Sequence, residues 1–122
     1  MLIFDAHIDT LGRLLACNES LLDNQGHVDL AKLRQNKGGA QFFAAFVAPK
    51  NYHGKALHST LQMIDLFWQW MDTYSQDLAF AGSGGDVLEI QQSGRLACLL
   101  AIEGGEALEG QLSNLRIFYR LG

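Results

Sequence analysis

Six apolar residues in a row, Phe42-Phe43-Ala44-Ala45-Phe46-Val47, carry no polar alternation and lie just before Pro49. A strand with one wet face alternates apolar with polar. An unbroken run reads as a strand covered on both faces, as in a parallel sheet held between other layers. The run predicts a strand from Ala40 to Ala48. Two more apolar runs predict strands over Leu2–Ala6 and Arg95–Glu103. Helical patterns separate them. A short helix is expected over Thr10–Cys17. Asp29 is placed to cap a helical piece reaching Gln35, with Lys32 and Arg34 near its end and Gly38-Gly39 stopping it. The longest helix is expected over Gly54–Tyr74. A loop at Gly82-Ser83-Gly84-Gly85 leads to a short helix over Asp86–Gln92. A last helix over Leu115–Leu121 opens at Ser113 or Asn114.

Strands alternating with helices imply an α/β fold, with parallel strands joined by right-handed crossovers. Three strands are few for such a sheet. Burying each of Phe42, Phe43 and Phe46 is worth roughly 1.5–3 kcal/mol, and an isolated three-stranded piece would leave half of that cover missing. The sequence therefore reads as the opening part of something larger. In the longest helix, Leu57, Leu61, Ile64, Trp68 and Met71 form one stripe, with Met63, Phe67, Trp70 and Tyr74 beside it. So broad an apolar arc is expected to meet two neighbours, a sheet and an adjacent helix. The alternative is an oligomer contact through Trp70.

The 122 residues suffice for one domain with a modest core. A net charge of −4 argues against a nucleic-acid surface, which carries a basic stripe. No apolar run approaches the ~20 residues of a membrane span, and no signal-peptide pattern opens the chain. A cytoplasmic location is the expectation. Cys17 and Cys98 sit in apolar stretches and read as buried free thiols in a reducing compartment, the alternative being a disulfide.

The chemistry concentrates at two strand ends. In Asp5-Ala6-His7-Ile8-Asp9, strict alternation projects Asp5, His7 and Asp9 from one face. Glu103 closes the third apolar run and is followed by Gly104-Gly105, which let backbone or substrate come close. Carboxylates and a neutral imidazole at the C-terminal ends of parallel strands suit a divalent metal. The plainer reading is a strand-end histidine satisfied by a neighbouring carboxylate. Asp5 is placed to orient the imidazole or to bond backbone amides. His27, His53 and His58 read as solvent-exposed. The Gly82–Gly85 loop lacks the Gly-Lys-Ser/Thr ending of a phosphate cradle, and neither Ser59 nor Ser83 has an evident base partner.

These residues resemble a known family. Asp5-Ala6-His7-Ile8-Asp9-Thr10-Leu11 is similar to the opening D-x-H-x-D motif of the membrane (renal) dipeptidase family, the M19 metallopeptidases. The likeness continues through Val28–Leu33, Gly38–Phe43, Ile102–Gly105 and Leu115–Gly122, in family order. The resemblance implies a (β/α)₈ TIM barrel, of which residues 1–122 would be an N-terminal portion of about three β/α units. It implies a two-metal site, usually zinc, that activates a water against the peptide bond of dipeptides, often with a D-residue at the C-terminal position. It assigns His7 and Asp9 to one metal and Glu103 to both. Glu106 departs from relatives that carry histidine or another residue after the glycine pair. The second metal's histidines, the acid/base aspartate and the substrate-carboxylate contacts come from later strands of the family. The expectation is thus a dipeptidase-type metallohydrolase whose 122 residues alone are inactive. The rest of the barrel, or a second copy of the chain, is the expected partner. The alternative is a non-enzymatic truncated barrel that forms a homo-oligomer with vestigial metal residues. A receiver-like signalling domain fits poorly, since it wants an aspartate where Glu103 stands.

Overall fold

The backbone groups of a parallel strand must pair on both sides, and the Phe42 run does so. The computed structural model describes residues 3–35, 39–48 and 54–122. In it, strand β2 (Ala40–Phe46) lies between β1 (Phe4–Ile8) and β4 (Leu96–Glu103), parallel to each. The remaining elements are helices α1 (Thr10–Cys17), α2 (Leu30–Gln35), α3 (Ala56–Thr73), α4 (Gly84–Gln92) and α5 (Leu112–Arg120), the short strand β3 (Leu78–Phe80), and a 3₁₀ turn at Glu106–Leu108. Leu2, Gly38, Pro49 and His53, which the sequence reading also used, lie outside the described residues.

Strand β3 corrects the sequence reading, which expected three strands. The sheet has four, in the order β1-β2-β4-β3. Leu78-Ala79-Phe80 is too short a run to show a period, and it pairs only with Leu96, Ala97 and Cys98 at the start of β4. The chain crosses outward from β2 to β3 and returns to fill the gap with β4. Right-handed crossovers in opposite directions put their helices on opposite faces. Accordingly Met63, Phe67, Trp70 and Met71 of α3 pack with Phe43, Ala45, Leu78, Leu96 and Cys98. Val87 and Ile90 of α4 pack with Ala40, Ala79, Ala97 and Leu99 on the other face.

The α3 side is the main core. Phe43 is fully buried and meets Phe67 and Trp70 edge-on, at centroid distances of 5.8 and 5.9 Å. Leu11 and Leu14 of α1, Leu30 and Leu33 of α2, and Leu21 complete it. The second neighbour expected for α3 is α5 with the 3₁₀ turn: Ile64 packs with Ala107 and Phe118, and Trp68 Nε1 donates to Leu121 O at 3.0 Å. Trp70 is buried in the core, so it offers no oligomer contact, and Leu61 is exposed rather than packed. Helices α4 and α5 start two and three residues before their expected positions, α4 because Ser83 Oγ accepts the Asp86 N–H as an N-cap.

Both cysteines are free, as expected, but only Cys98 is buried. Burial pushes its thiol up to about 12. Cys17 is exposed because it ends α1, beside a left-handed Asn18.

Candidate metal centre

The site assembles where the C-terminal ends of β1 and β4 meet the start of α1. His7 lies inside β1, which runs to Ile8, two residues beyond the expected end. Asp9 is the N-terminal flanking residue of α1, yet its side chain makes no capping hydrogen bond. Its carboxylate turns to the imidazole instead: His7 Nε2 stands 3.3 Å from Asp9 Oδ1. The same nitrogen stands 3.3 Å from Glu103 Oε2. Glu103 ends β4, opposite Phe46, and the chain leaves it through Gly104 at φ +83°, a left-handed conformation that glycine adopts without strain.

Two strands apart is roughly 9.5 Å in a sheet, so His7 and Glu103 can meet only across a small residue. β2 supplies Ala44 on that face, buried under the site, between the larger Phe42 and Phe46. One donor atom from each of His7, Asp9 and Glu103 lies within 4.8 Å of the others, and all three residues are exposed. This is the one such cluster among the described residues.

The donor set fits a divalent ion. Ligands at 2.0–2.2 Å in tetrahedral array stand about 3.3–3.6 Å apart, and both distances from His7 Nε2 fall there. A single ring nitrogen can serve both carboxylates at that range only through one long, shared hydrogen bond, whereas a cation between the three groups would engage each of them directly. His7, Asp9 and Glu103 are thus brought together as the sequence suggested.

Asp5 is not with them. Its register partner is Gln41, whereas that of Ile8 is Phe43, with a β-bulge between. Alternation breaks, and Asp5 falls on the opposite face from His7. Its Oδ1 accepts the backbone N–H of His7 at 3.0 Å, so the backbone-amide alternative is the one observed.

Beside the cluster opens a cleft of about 450 Å³, lined by His7, Asp9, Arg13, Gln25, Gly26 and His27 among others. The loop on its far wall is organised by Asn24. The Asn24 amide donates to Ser20 O and Val28 O, each at 3.0 Å, and its Oδ1 accepts from Gly26 N at 2.8 Å and Arg13 Nη1 at 3.3 Å. Arg13 is also paired with Glu19 at 2.7 Å. An added Cβ at Gly26 would come within 2.7 Å of Arg13 Nη1 and 2.8 Å of Asn24 Oδ1, so a side chain there would have to displace both. The sequence reading took His27 only as exposed. His27 is exposed, and it also lines this cleft. His58 is exposed as expected.

The whole chain, residues 1–122, matches the family model described as membrane dipeptidase, peptidase family M19. The chain belongs to this family. Among curated relatives, dipeptidase tcpJ of Claviceps purpurea is 34% identical over 134 aligned residues, covering 97% of this chain and 32% of the relative. Human dipeptidase 3 is 36% identical over 100 residues, covering 81% and 20%. In solved structures, a metallopeptidase from Rhodobacter sphaeroides, liganded with a phosphinate mimic of the dipeptide L-Ala-D-Ala, superposes with a TM-score of 0.78 at 25% identity over 100% of this chain and 43% of its own. Dipeptidase AC, an M19 metallopeptidase, gives 0.80 at 26% identity, over 100% and 40%. These neighbours carry the TIM-barrel fold, and the parallel sheet with its helices matches part of it. The chain spans about a third or less of the length of the curated relatives it matches. M19 membership makes the protein a member of a metallopeptidase family, for which a metal site of imidazole and carboxylates is chemically apt.

Proposed function

We propose that these residues serve zinc-dependent hydrolysis of dipeptides, with His7 and Asp9 holding one zinc and Glu103 shared with a second. What carries the reading is the convergence of three donor groups, with His7 Nε2 standing 3.3 Å from each carboxylate, beside an open cleft. Bound metal in such a pair supplies Lewis-acid polarisation of the peptide carbonyl and a water activated near neutral pH. The chain's own part is to fix the donors. β1 and β4 set the backbone positions, Ala44 leaves room between the side chains, and Asp9 keeps its carboxylate free of the helix it precedes. The cleft walls, from Arg13 to His27, are placed to line a small polar substrate. The solved relative bound to a dipeptide mimic supports a dipeptide as that substrate.

Three donors are too few for two four-coordinate ions. We therefore propose that the 122-residue chain binds metal weakly and does not turn over dipeptides by itself, and that it acts together with the other strands of a barrel. The structural-module alternative draws on exposed apolar side chains, Leu112 at 70% and Tyr119 at 87%, which a second copy could cover. Sedimentation and zinc analysis on the purified chain separate the two. Zinc bound at neutral pH and lost in His7→Ala and Glu103→Ala supports the metallohydrolase reading. A stable oligomer without zinc overturns it. Dipeptide hydrolysis by the isolated chain would contradict the division of labour.

A further inference from the structure

The bulge in β1 decides whether His7 can reach the site at all. The register begins Phe4 to Ala40 and Asp5 to Gln41. Continued without a break, it would set Ala6 against Phe42 and His7 against Phe43. Phe43 is fully buried against Phe67 and Trp70. An imidazole beside it would enter the apolar layer with no partner, at a cost typical of an unpaired buried polar group. Instead two residues of β1, Ala6 and His7, fill the interval that Phe42 alone spans on β2, and Ile8 takes the place opposite Phe43, where it packs on the core. One inserted residue thus moves His7 from the helix layer to the face that carries Glu103.

A bulge frees ladder groups that need other partners. Two side chains supply them. Asp5 Oδ1 accepts the His7 N–H at 3.0 Å. Gln41, only 4% exposed, donates its amide to Asp5 O at 3.4 Å and to Phe42 O at 3.2 Å. Gln41 is the lone polar side chain of β2, and its amide spans the two strands at the irregularity.

We infer that Asp5 and Gln41 are positioning residues, which hold the β1 bulge and through it present His7 to the metal centre. The consequence for metal rests on the proposed function; the consequence for the bulge does not. The test therefore reads both. Isotope-labelled chain gives the nuclear Overhauser contacts of the His7 ring with Asp9 and Glu103 and of the Ile8 methyls with Phe43. Titration with Co²⁺, followed by its visible absorption, gives affinity. Circular dichroism checks that each variant is folded.

Asp5→Ala and Gln41→Met should lose or redistribute the His7–Glu103 contacts and weaken Co²⁺ binding by about tenfold or more, the usual effect of removing a supporting hydrogen bond behind a metal ligand. Asp5→Asn keeps an acceptor oxygen and should restore both readouts, which a merely stabilising carboxylate charge would not do. Folded Asp5→Ala and Gln41→Met proteins that retain the His7–Glu103 contacts overturn the inference. If the wild-type chain shows the contacts but takes up no Co²⁺, the metal reading fails, and the contacts alone decide the role of Asp5 and Gln41.

Discussion

Phe42 and Phe43 are neighbours in sequence and face opposite sides of one strand, so truncating each to alanine asks what each face contacts. Phe43 is fully buried and has two aromatic partners at 5.8 and 5.9 Å. Phe→Ala in such a place costs about 3–5 kcal/mol, counting transfer and cavity together. Edge-on aromatic pairs bring the value toward the upper end. Phe42 is half-buried, and its aromatic partner is Phe4, 5.9 Å away and itself 55% exposed. Losing that partial cover costs about 1 kcal/mol. Folded domains of this length are stable by about 6–18 kcal/mol. Phe43→Ala thus removes a large part of the total and Phe42→Ala little. Urea denaturation followed by circular dichroism, with a shared slope, gives both numbers. Equal losses for the two variants would refute the facing of β2, and with it the argument that the bulge moves His7 from one face to the other.

The remaining predictions concern the site, an ion pair and the thiols. Zn²⁺ at a hundred times its dissociation constant should stabilise the chain by about 2.7 kcal/mol, a shift on the order of 10 °C in the melting temperature; Glu103→Ala should abolish that shift while changing the metal-free melting point little, since it removes an exposed carboxylate, and a surviving shift in scanning calorimetry counts against Glu103 as a ligand. Arg34 binds Asp77 through two hydrogen bonds of 2.8 Å and holds its carboxyl below the usual carboxylate range. A lowered folded-state value contributes stability that is present above the unfolded value near 3.9 and lost as pH falls through the folded one. Asp77→Asn should therefore cost at most about 1 kcal/mol at pH 7, and the gap from wild type should shrink in acid-titrated melts as the pH falls below the unfolded value and through the lowered folded one. At pH 8 a thiol reagent should label Cys17 quickly, while Cys98, with its thiol pushed up to about 12, should react only on unfolding, as read by mass spectrometry.

Much of this architecture was written in residue patterns long enough to show a period. α1 falls where it was expected, over Thr10–Cys17. The double stripe of α3 found its two neighbours, and His7, Asp9 and Glu103 met across β2. What escaped was set by short or non-local features. Three residues of β3 are fewer than one can read as a strand, and its place beyond β4 is a non-local pairing that no local pattern encodes. The facing of Asp5 failed because alternation assumes an unbroken ladder, and the bulge is fixed by Gln41, 36 residues away. A signal for it existed: Gln41 is a polar residue opening an otherwise apolar strand, and a buried amide needs partners. Arg13, Glu19 and Asn24 drew no notice because their order comes from one another rather than from a periodic surface.

In the proposed site one imidazole and two carboxylates close on a single cation. Anomalous diffraction at the zinc edge, on crystals soaked in Zn²⁺, tests it directly. A peak is expected about 2.0–2.2 Å from His7 Nε2 and from an oxygen of each of Asp9 and Glu103. Zinc held elsewhere on the surface, with the His7 ring turned away from Glu103, would contradict it.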